Sequence, residues 1–355
     1  MATTASTRRQ FLTLLGLSTV AVGCGTATGA TSGKGRTKTL RYQGWAGQVT
    51  LPELAEDLGH LGDVKLEWVG NTISGPQDIQ SAATGQVDFG GAFNGAVVKL
   101  AANGAPVKAV ISYYGSDKYA YNGFYVLQDS PIRSARDLIG KKIGMNTLGA
   151  HSEAMLDIYL RRGGLSRTET GKAEPLVVPP VNTEQALRKK QIDVAVLGGI
   201  LRDKALAAGG IRPLFTDHQL LGAFSAGTYV MTDRFLKQNP DTARVFVTGV
   251  GKAIEWARST PHDEVVARMT GIVRKRGRNE DTAPLKYWRS FGVAETAGRI
   301  TDEEFQLWID WLAERGDIKK GQVTPADLYT NQFNDAGGAG AAASPAASSS
   351  PTNGS

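Results

Sequence analysis

Residues 74–92 read Ser-Gly-Pro-Gln-Asp-Ile-Gln-Ser-Ala-Ala-Thr-Gly-Gln-Val-Asp-Phe-Gly-Gly-Ala, and this stretch decides the fold. Ser74-Gly75-Pro76-Gln77 sets a hydroxyl before a proline with a glutamine three places on, the pattern of a capped helix start. The spacing predicts a helix over 74–84 that stops at Gly85, then a strand over 87–92. A strand over 64–69 precedes it. Strand, helix and strand in succession build parallel sheets covered by helices. The unit returns later, because Gln86-Val87-Asp88-Phe89 matches Gln191-Ile192-Asp193-Val194 at an offset of 105 residues. Helix-like runs over 77–85 and 184–190 precede the two copies, so two similar α/β halves are expected.

Outward from this stretch the same grammar holds. Asp137-Leu138-Ile139-Gly140-Lys141-Lys142-Ile143-Gly144 predicts a helical turn and a strand ending at Met145-Asn146. From Ser152, Met155, Leu156, Ile158, Tyr159 and Leu160 recur at helical spacing and stop at Gly163-Gly164, a C-terminal cap signal. The C-terminal third is helical by the same test, with Val245, Val247, Ile254 and Trp256 in one segment and Phe305, Trp308, Ile309 and Leu312 in another. Trp308 and Trp311 read as core. Folded sequence is expected from about Lys38 to about Phe333.

The 355 residues are 41% hydrophobic and 21% charged, which suits about two globular units with proper cores and excludes a membrane channel or a disordered hub. The formal charge of +6 is a mild excess, and no nucleic-acid partner is expected. Ser6-Thr7-Arg8-Arg9-Gln10-Phe11-Leu12 leads into an apolar run to Gly23, with no acidic residue before Glu53. Residues 1–23 are therefore expected to act as an export signal. The paired arginines resemble the twin-arginine motif, and Ala21-Val22-Gly23-Cys24 resembles a bacterial lipobox. Cys24 is the sole cysteine, so it closes no internal disulfide, and lipid attachment is its expected use. Residues 24–38 are expected to be a flexible tether. Residues 334–355, almost wholly Ala, Gly, Ser and Pro from Ala336 onward, are expected to be a disordered tail.

Ser74-Gly75-Pro76, Gly85-Gln86-Val87-Asp88, Asp137-Leu138-Ile139-Gly140-Lys141-Lys142 and Thr147-Leu148-Gly149-Ala150-His151 stand in an order and spacing that resembles the substrate-binding proteins of ABC importers for nitrate, taurine and aliphatic sulfonates. The resemblance covers about residues 39–330. It implies a two-lobed, type II periplasmic-binding-protein-like α/β fold, each lobe a mostly parallel sheet flanked by helices, joined by two crossover segments. The crossovers are expected near 125–129 and 221–230, which assigns 39–126 plus 227–333 to one lobe and 127–226 to the other. The resemblance also implies a small-molecule solute clamped between the lobes, permease subunits of an ABC importer as partners, a monomer, and a place on the outer face of the cell membrane through the lipid anchor. Where many relatives place Gly-Asp-x-Pro after the second strand, this chain has Phe93-Asn94-Gly95-Ala96, so the ligand contact at Asn94 is expected to differ.

The candidate ligand contacts follow the strand ends. Gln43, Gly44 and Trp45 come after the first strand. Ser74 and Gly75 open a helix whose free N–H groups and positive dipole end suit an anion. Thr147, Leu148, Gly149, His151 and Ser152 lie between a strand and a helix, where α/β ligand sites collect. Tyr121 belongs to a cluster with Tyr113, Tyr114, Tyr119 and Phe124 near the first crossover, a candidate ligand wall, and Gly198 ends a later strand. No Arg or Lys lies in 43–45, 74–77 or 147–153, so neutral donors, with His151 foremost, are expected to hold an oxyanion. Glu153 carries the opposite reading, an amine or a zwitterion. Arg274-Lys275-Arg276-Gly277-Arg278 reads as a solvated turn.

Catalysis finds little support. His60, His151, His218 and His262 are scattered without metal-ligand spacing. Residues 222–227 miss the Gly-x-Ser-x-Gly elbow by one residue, and no phosphate-binding Gly-rich loop occurs. No catalytic residue, metal or cofactor is expected; the rival reading is an exported enzyme on the same fold acting on a pyrimidine or other aromatic ligand.

Overall fold

The computed structural model describes residues 37–335. The expected export signal, Cys24, most of the tether and nearly all of the expected tail lie outside the described residues. The first lobe begins with β1 (Thr39–Gly44), α1 (Leu51–Asp57), β2 (Lys65–Asn71), α2 (Gly75–Ala83), β3 (Gly90–Phe93), α3 (Asn94–Ala102) and β4 (Val107–Ser116). The second comprises β5 (Asn122–Leu127), β6 (Lys142–Met145), α4 (His151–Arg162), α5 (Arg167–Thr170), β7 (Glu174–Val177), α6 (Pro180–Arg188), β8 (Val194–Gly198), α7 (Gly199–Ala207) and β9 (Ile211–Thr216). The chain returns through α8 (Asp217–Leu221) to β10 (Phe224–Thr232), and α9 (Asp233–Gln238), α10 (Pro240–Ser259), α11 (His262–Lys275), α12 (Asp302–Arg315) and α13 (Pro325–Leu328) complete the first lobe.

Strand order is β1-β2 and β3-β10-β4 in the first lobe and β7-β6-β8-β5-β9 in the second. The pairs β1·β2, β6·β7 and β6·β8 are parallel. β10, however, runs antiparallel to β3 and β4, and β5 antiparallel to β8 and β9. The sheets are thus mixed where mostly parallel ones were expected, because β5 and β10 are laid down directly after a crossover and enter against their neighbours' direction. These pairings also move the crossovers. β5 belongs wholly to the second lobe's sheet and β10 to the first lobe's, so the connections between the sheets run over 117–121 and 217–223, ahead of the expected 125–129 and overlapping the start of the expected 221–230.

The 105-residue offset extends well beyond its four matching positions. α2 and α6 are both 9 residues long and begin at Gly75 and Pro180. Gly85 and Lys190, at the same offset, share a positive φ of 76° and 57°. In the turn that follows, Asp88 accepts a hydrogen bond from Arg41 N at 2.7 Å, and Asp193 one from Lys142 N at 2.9 Å. Each carboxylate therefore pins the neighbouring strand, β1 or β6, to the start of the next, which is why the residue type recurs. Lys190 holds a conformation that disfavours a side chain, so Lys190→Gly should raise the unfolding free energy by about 0.5–1 kcal/mol in urea titration.

Trp308 and Trp311 are buried, as expected of core residues. Trp308 meets Phe93 at 4.5 Å between ring centroids, and Trp311 donates its indole N–H to Asp157 at 2.8 Å. α12 therefore packs against α4 of the second lobe as well as on its own. Among the described residues no helix is long and apolar enough to cross a membrane.

Candidate functional site

A cleft of about 350 Å³ lies where the two lobes meet. Trp45, Gly75, Phe93, Tyr113, Tyr114 and Tyr229 line it from the first lobe, and Tyr121, from the first crossover, and Asn122, Thr147, His151, Ser152, Thr183 and Gly198 from the other side. Its outer wall comes from Met269, Leu285, Trp288, Ser290 and Phe291. No Lys, Arg, Asp or Glu is among the lining residues. The walls are aromatic, and the polar groups are hydroxyls, amides and backbone.

Four helices open on this cleft without a capping side chain: α2 after Ser74, α4 after Ala150, α6 after Pro179 and α7 after Gly198. By contrast, Thr50 caps α1 and Thr216 caps α8 through side-chain hydrogen bonds. The first N–H groups of a helix have no acceptor within it, and the dipole adds partial positive charge. The uncapped starts thus give the cleft neutral donors with a positive bias and no ionised side chain.

The tyrosines are packed against one another. Tyr113 stacks on Tyr229 with centroids 4.1 Å apart, and Tyr114 meets Tyr113 at 4.9 Å. Burial raises Tyr113 and Tyr229 well above the ordinary tyrosine value, so their hydroxyls stay protonated and serve as donors. Behind them Asp78 accepts a hydrogen bond from Gly91 N at 2.7 Å, and burial pushes its carboxyl up to about 7.

His151 sits differently from the oxyanion donor expected. Its Nε2 lies 3.2 Å from Asp217, and its Nδ1 lies 3.4 Å from the side-chain amide of Asn122. Nε2 makes no hydrogen bond despite that approach, and the buried imidazole stacks on Phe93 at 5.4 Å. Glu153 turns away from the ligand too, accepting from Gly149 N at 2.8 Å and from Arg315 at 3.1 Å. These bonds leave it no role as an amine counter-charge in the cleft.

Of the other expected contacts, Trp45, Gly75, Tyr121, Thr147, Ser152 and Gly198 line the cleft; Gln43, Gly44, Ser74, Asn94, Leu148 and Gly149 do not. The Ser74 hydroxyl does not cap α2; it reaches across to Thr147 at 3.4 Å and joins the two lobes at the mouth. Asn94 is fully buried and donates to Glu304 O at 3.4 Å. The side-chain oxygen of Gln43 is buried, Gly44 packs beside Arg278 and Trp68, and Leu148 is exposed. Within the tyrosine cluster, Tyr119 is exposed and Phe124 is buried against Phe215, so those two belong to surface and core.

The basic run at 274–278 is not a solvated turn throughout. Arg276 donates to Glu53 at 3.0 Å, to Glu280 at 2.6 Å and to Gln48 O at 2.9 Å, while Arg278 reaches the Tyr42 hydroxyl at 3.0 Å. Glu280 in turn accepts from Gly47 N at 2.8 Å. This buried network fixes loop 45–50, which carries Trp45, Gln48 and Val49 into the cleft wall.

Sequence reasoning missed Asn122, Asn146, Thr183, Tyr229 and the whole 285–291 wall. The offset of 105 would have found the second-lobe helix start, since Gly75 maps onto Pro180 and Asp78 onto Thr183. No local signal marks 285–291, an irregular segment around a 3-10 turn at Ala283–Tyr287 that tertiary packing alone brings to the cleft.

Comparisons with known proteins agree on fold and family. A family model described as NMT1/THI5 like matches residues 65–264. A binding protein of Brucella abortus is 25% identical over 273 residues, covering 73% of this chain and 79% of that one. A 4-amino-5-hydroxymethyl-2-methylpyrimidine phosphate synthase of Saccharomyces cerevisiae is 24% identical over 297 residues, covering 79% and 82%. Among solved structures, the periplasmic aliphatic sulphonate binding protein of Escherichia coli superposes with a TM-score of 0.63 at 19% identity, covering 82% of this chain and 91% of that one. The periplasmic nitrate-binding protein of Synechocystis gives a TM-score of 0.64 at 14% identity, covering 83% and 87%. The α/β periplasmic-binding-protein-like fold is therefore shared with these proteins, and the chain belongs to the NMT1/THI5-like family.

Proposed function

We propose that this protein is an exported, lipid-anchored solute receptor that clamps an organic acid with a flat, largely apolar body and delivers it to an ABC importer. The observation that carries this reading is the cleft lining: aromatic walls, uncapped helix starts, and no ionised Lys, Arg, Asp or Glu. An aromatic or heteroaromatic sulfonate or carboxylate suits it, with the rings of Trp45, Phe93, Tyr113 and Tyr229 against the body. The amides at the starts of α2, α4 and α7, with Thr147 and Ser152, face the oxyanion. Thr147→Ala and Ser152→Ala should each cost about 1–2 kcal/mol of affinity, as expected for one hydrogen bond to a charged acceptor.

Thermal melting with benzenesulfonate, nitrate, taurine and aniline tests the class. Saturation at 100 times the dissociation constant stabilises by about 2.7 kcal/mol. Benzenesulfonate should raise the melting temperature and nitrate should not; stabilisation by aniline alone would reverse the charge assignment. The similarity to the yeast pyrimidine phosphate synthase favours a second reading, an enzyme acting on a pyrimidine. Product formed from such a compound during the incubation would decide for it.

A further inference from the structure

We propose that Asp217 is the positioning residue of the hinge, through which Asn122, a polar side chain of the cleft, is tied to the angle between the lobes. Asp217 is the first residue of α8, on the returning crossover, and is fully buried. Its Oδ1 accepts from the Ser116 hydroxyl at 3.0 Å, at the end of the first lobe's β4. It also accepts from Asn122 N at 3.1 Å, at the start of the second lobe's β5. Its Oδ2 lies 3.2 Å from His151 Nε2 and 3.4 Å from the Asn122 side-chain amide. One carboxylate therefore gathers both crossovers and the start of α4.

These partners lie on both sides of the hinge. They also assign two separate tasks. The Ser116 bond is the member of the set that crosses between lobes, so it bears on the hinge angle. The Asn122 bonds lie on the second-lobe side and set the orientation of a side chain that lines the cleft beside His151. A buried carboxylate keeps its place only when its lone pairs are filled, so any change of lobe angle that breaks the Ser116 bond is opposed at the hinge.

The inference rests on the two-lobe clamp but not on the identity of the solute, and its test uses no ligand, so it can fail independently of the receptor reading. Ile73 and Leu148, exposed on opposite lips beside the Ser74–Thr147 contact, are replaced by cysteine for spin labels in the full chain carrying Cys24→Ser. Ser116→Ala should add a longer lip-to-lip distance, raising the open-to-closed ratio roughly tenfold or more, as loss of a hydrogen bond to a charged group implies. Ser116→Thr, which keeps the hydroxyl, should restore the original distribution. Asp217→Asn, which keeps the shape but weakens the acceptor, should shift the distribution in the same direction. Identical distance distributions for wild type and Ser116→Ala, or for wild type and Asp217→Asn, would overturn the proposal.

Discussion

Glu53→Ala should lower the free energy of unfolding by about 3–5 kcal/mol, the loss expected when one partner of a buried ion-pair network is removed. Glu53 is buried, and its Oε1 takes hydrogen bonds from Arg276 at 3.0 Å, Arg278 at 3.4 Å and the Tyr42 hydroxyl at 2.7 Å. Its Oε2 takes the Thr50 backbone and hydroxyl at 2.9 and 3.0 Å, closing the capping box of α1. Alanine at this position leaves Arg276 with the one carboxylate of Glu280 and Arg278 with the Tyr42 hydroxyl, in a place with little water. It also removes one arm of the capping box, itself worth about 1 kcal/mol. Urea unfolding at pH 7 measures the loss. Pairing the change with Arg276→Met should recover a large part of it, because an apolar replacement of both partners is often nearly neutral. If the double variant is as unstable as the sum of the singles, the two residues are not energetically coupled and the network does not act as one unit. The network also holds loop 45–50, so Glu53→Ala should weaken ligand binding through Trp45 beyond what its stability loss explains.

The order of elements was legible because it is written in local chemistry. Pro76 and Pro180 mark where a helix starts, Gly85 where one stops, and Asp88 and Asp193 which strand is pinned next. Strand direction was less so. Nothing local in 122–127 or 224–232, taken as lying at or beside the crossovers, shows that each enters its sheet from the other lobe and so runs antiparallel. The first crossover hides for a related reason: the apolar character of 107–116 resumes at 122–127, and the break is an Asp117 turn whose carboxylate accepts from Tyr119 N and Ala120 N, both at 2.6 Å. Of the residues named around helix starts, Gly75, Thr147, His151, Ser152 and Gly198 line the cleft, since a helix start is a sequence signal. Which partner a side chain chooses is not. Arg276 and Arg278 look like any basic surface run until folding brings Glu53 to them from more than 220 residues away. His151 looks like a free donor until folding buries its ring against Phe93 and beside Asp217.

Stability should fall as pH rises from about 5 to 7, and Asp78→Asn with Glu304→Gln should remove that slope. Burial pushes both carboxyls up to about 7, from ordinary values of 3.8 and 4.5. Asp78 keeps one hydrogen bond, from Gly91 N, and Glu304 accepts from the Ser112 hydroxyl at 2.8 Å while its other oxygen has no partner. Near pH 5.5 the folded protein holds both protons and the unfolded chain has released them. Unfolding then liberates protons, so its free energy declines with pH, at about 1.4 kcal/mol per proton per pH unit. Summed over the interval between unfolded and folded values, Asp78 lowers stability by roughly 4 kcal/mol and Glu304 by roughly 3 kcal/mol well above pH 7, and both effects vanish as pH falls below the ordinary carboxylate range. Groups of the opposite sign act in another window: Glu169, held at about 2 by Ser166 and Arg136, contributes stability that is lost only as pH falls below the ordinary carboxylate range. His60, which burial, Lys252 and Arg268 hold below its ordinary value, favours folding as pH rises. It is present in both proteins and cancels in their difference. The quantity to measure is therefore the difference in urea unfolding free energy between double variant and wild type at pH 5, 6, 7 and 8. That difference should grow in the variant's favour by several kcal/mol across the series. A difference independent of pH would mean that neither carboxyl carries a proton in the fold, and that water or closer hydrogen bonding keeps both ionised behind the tyrosines and beneath α12.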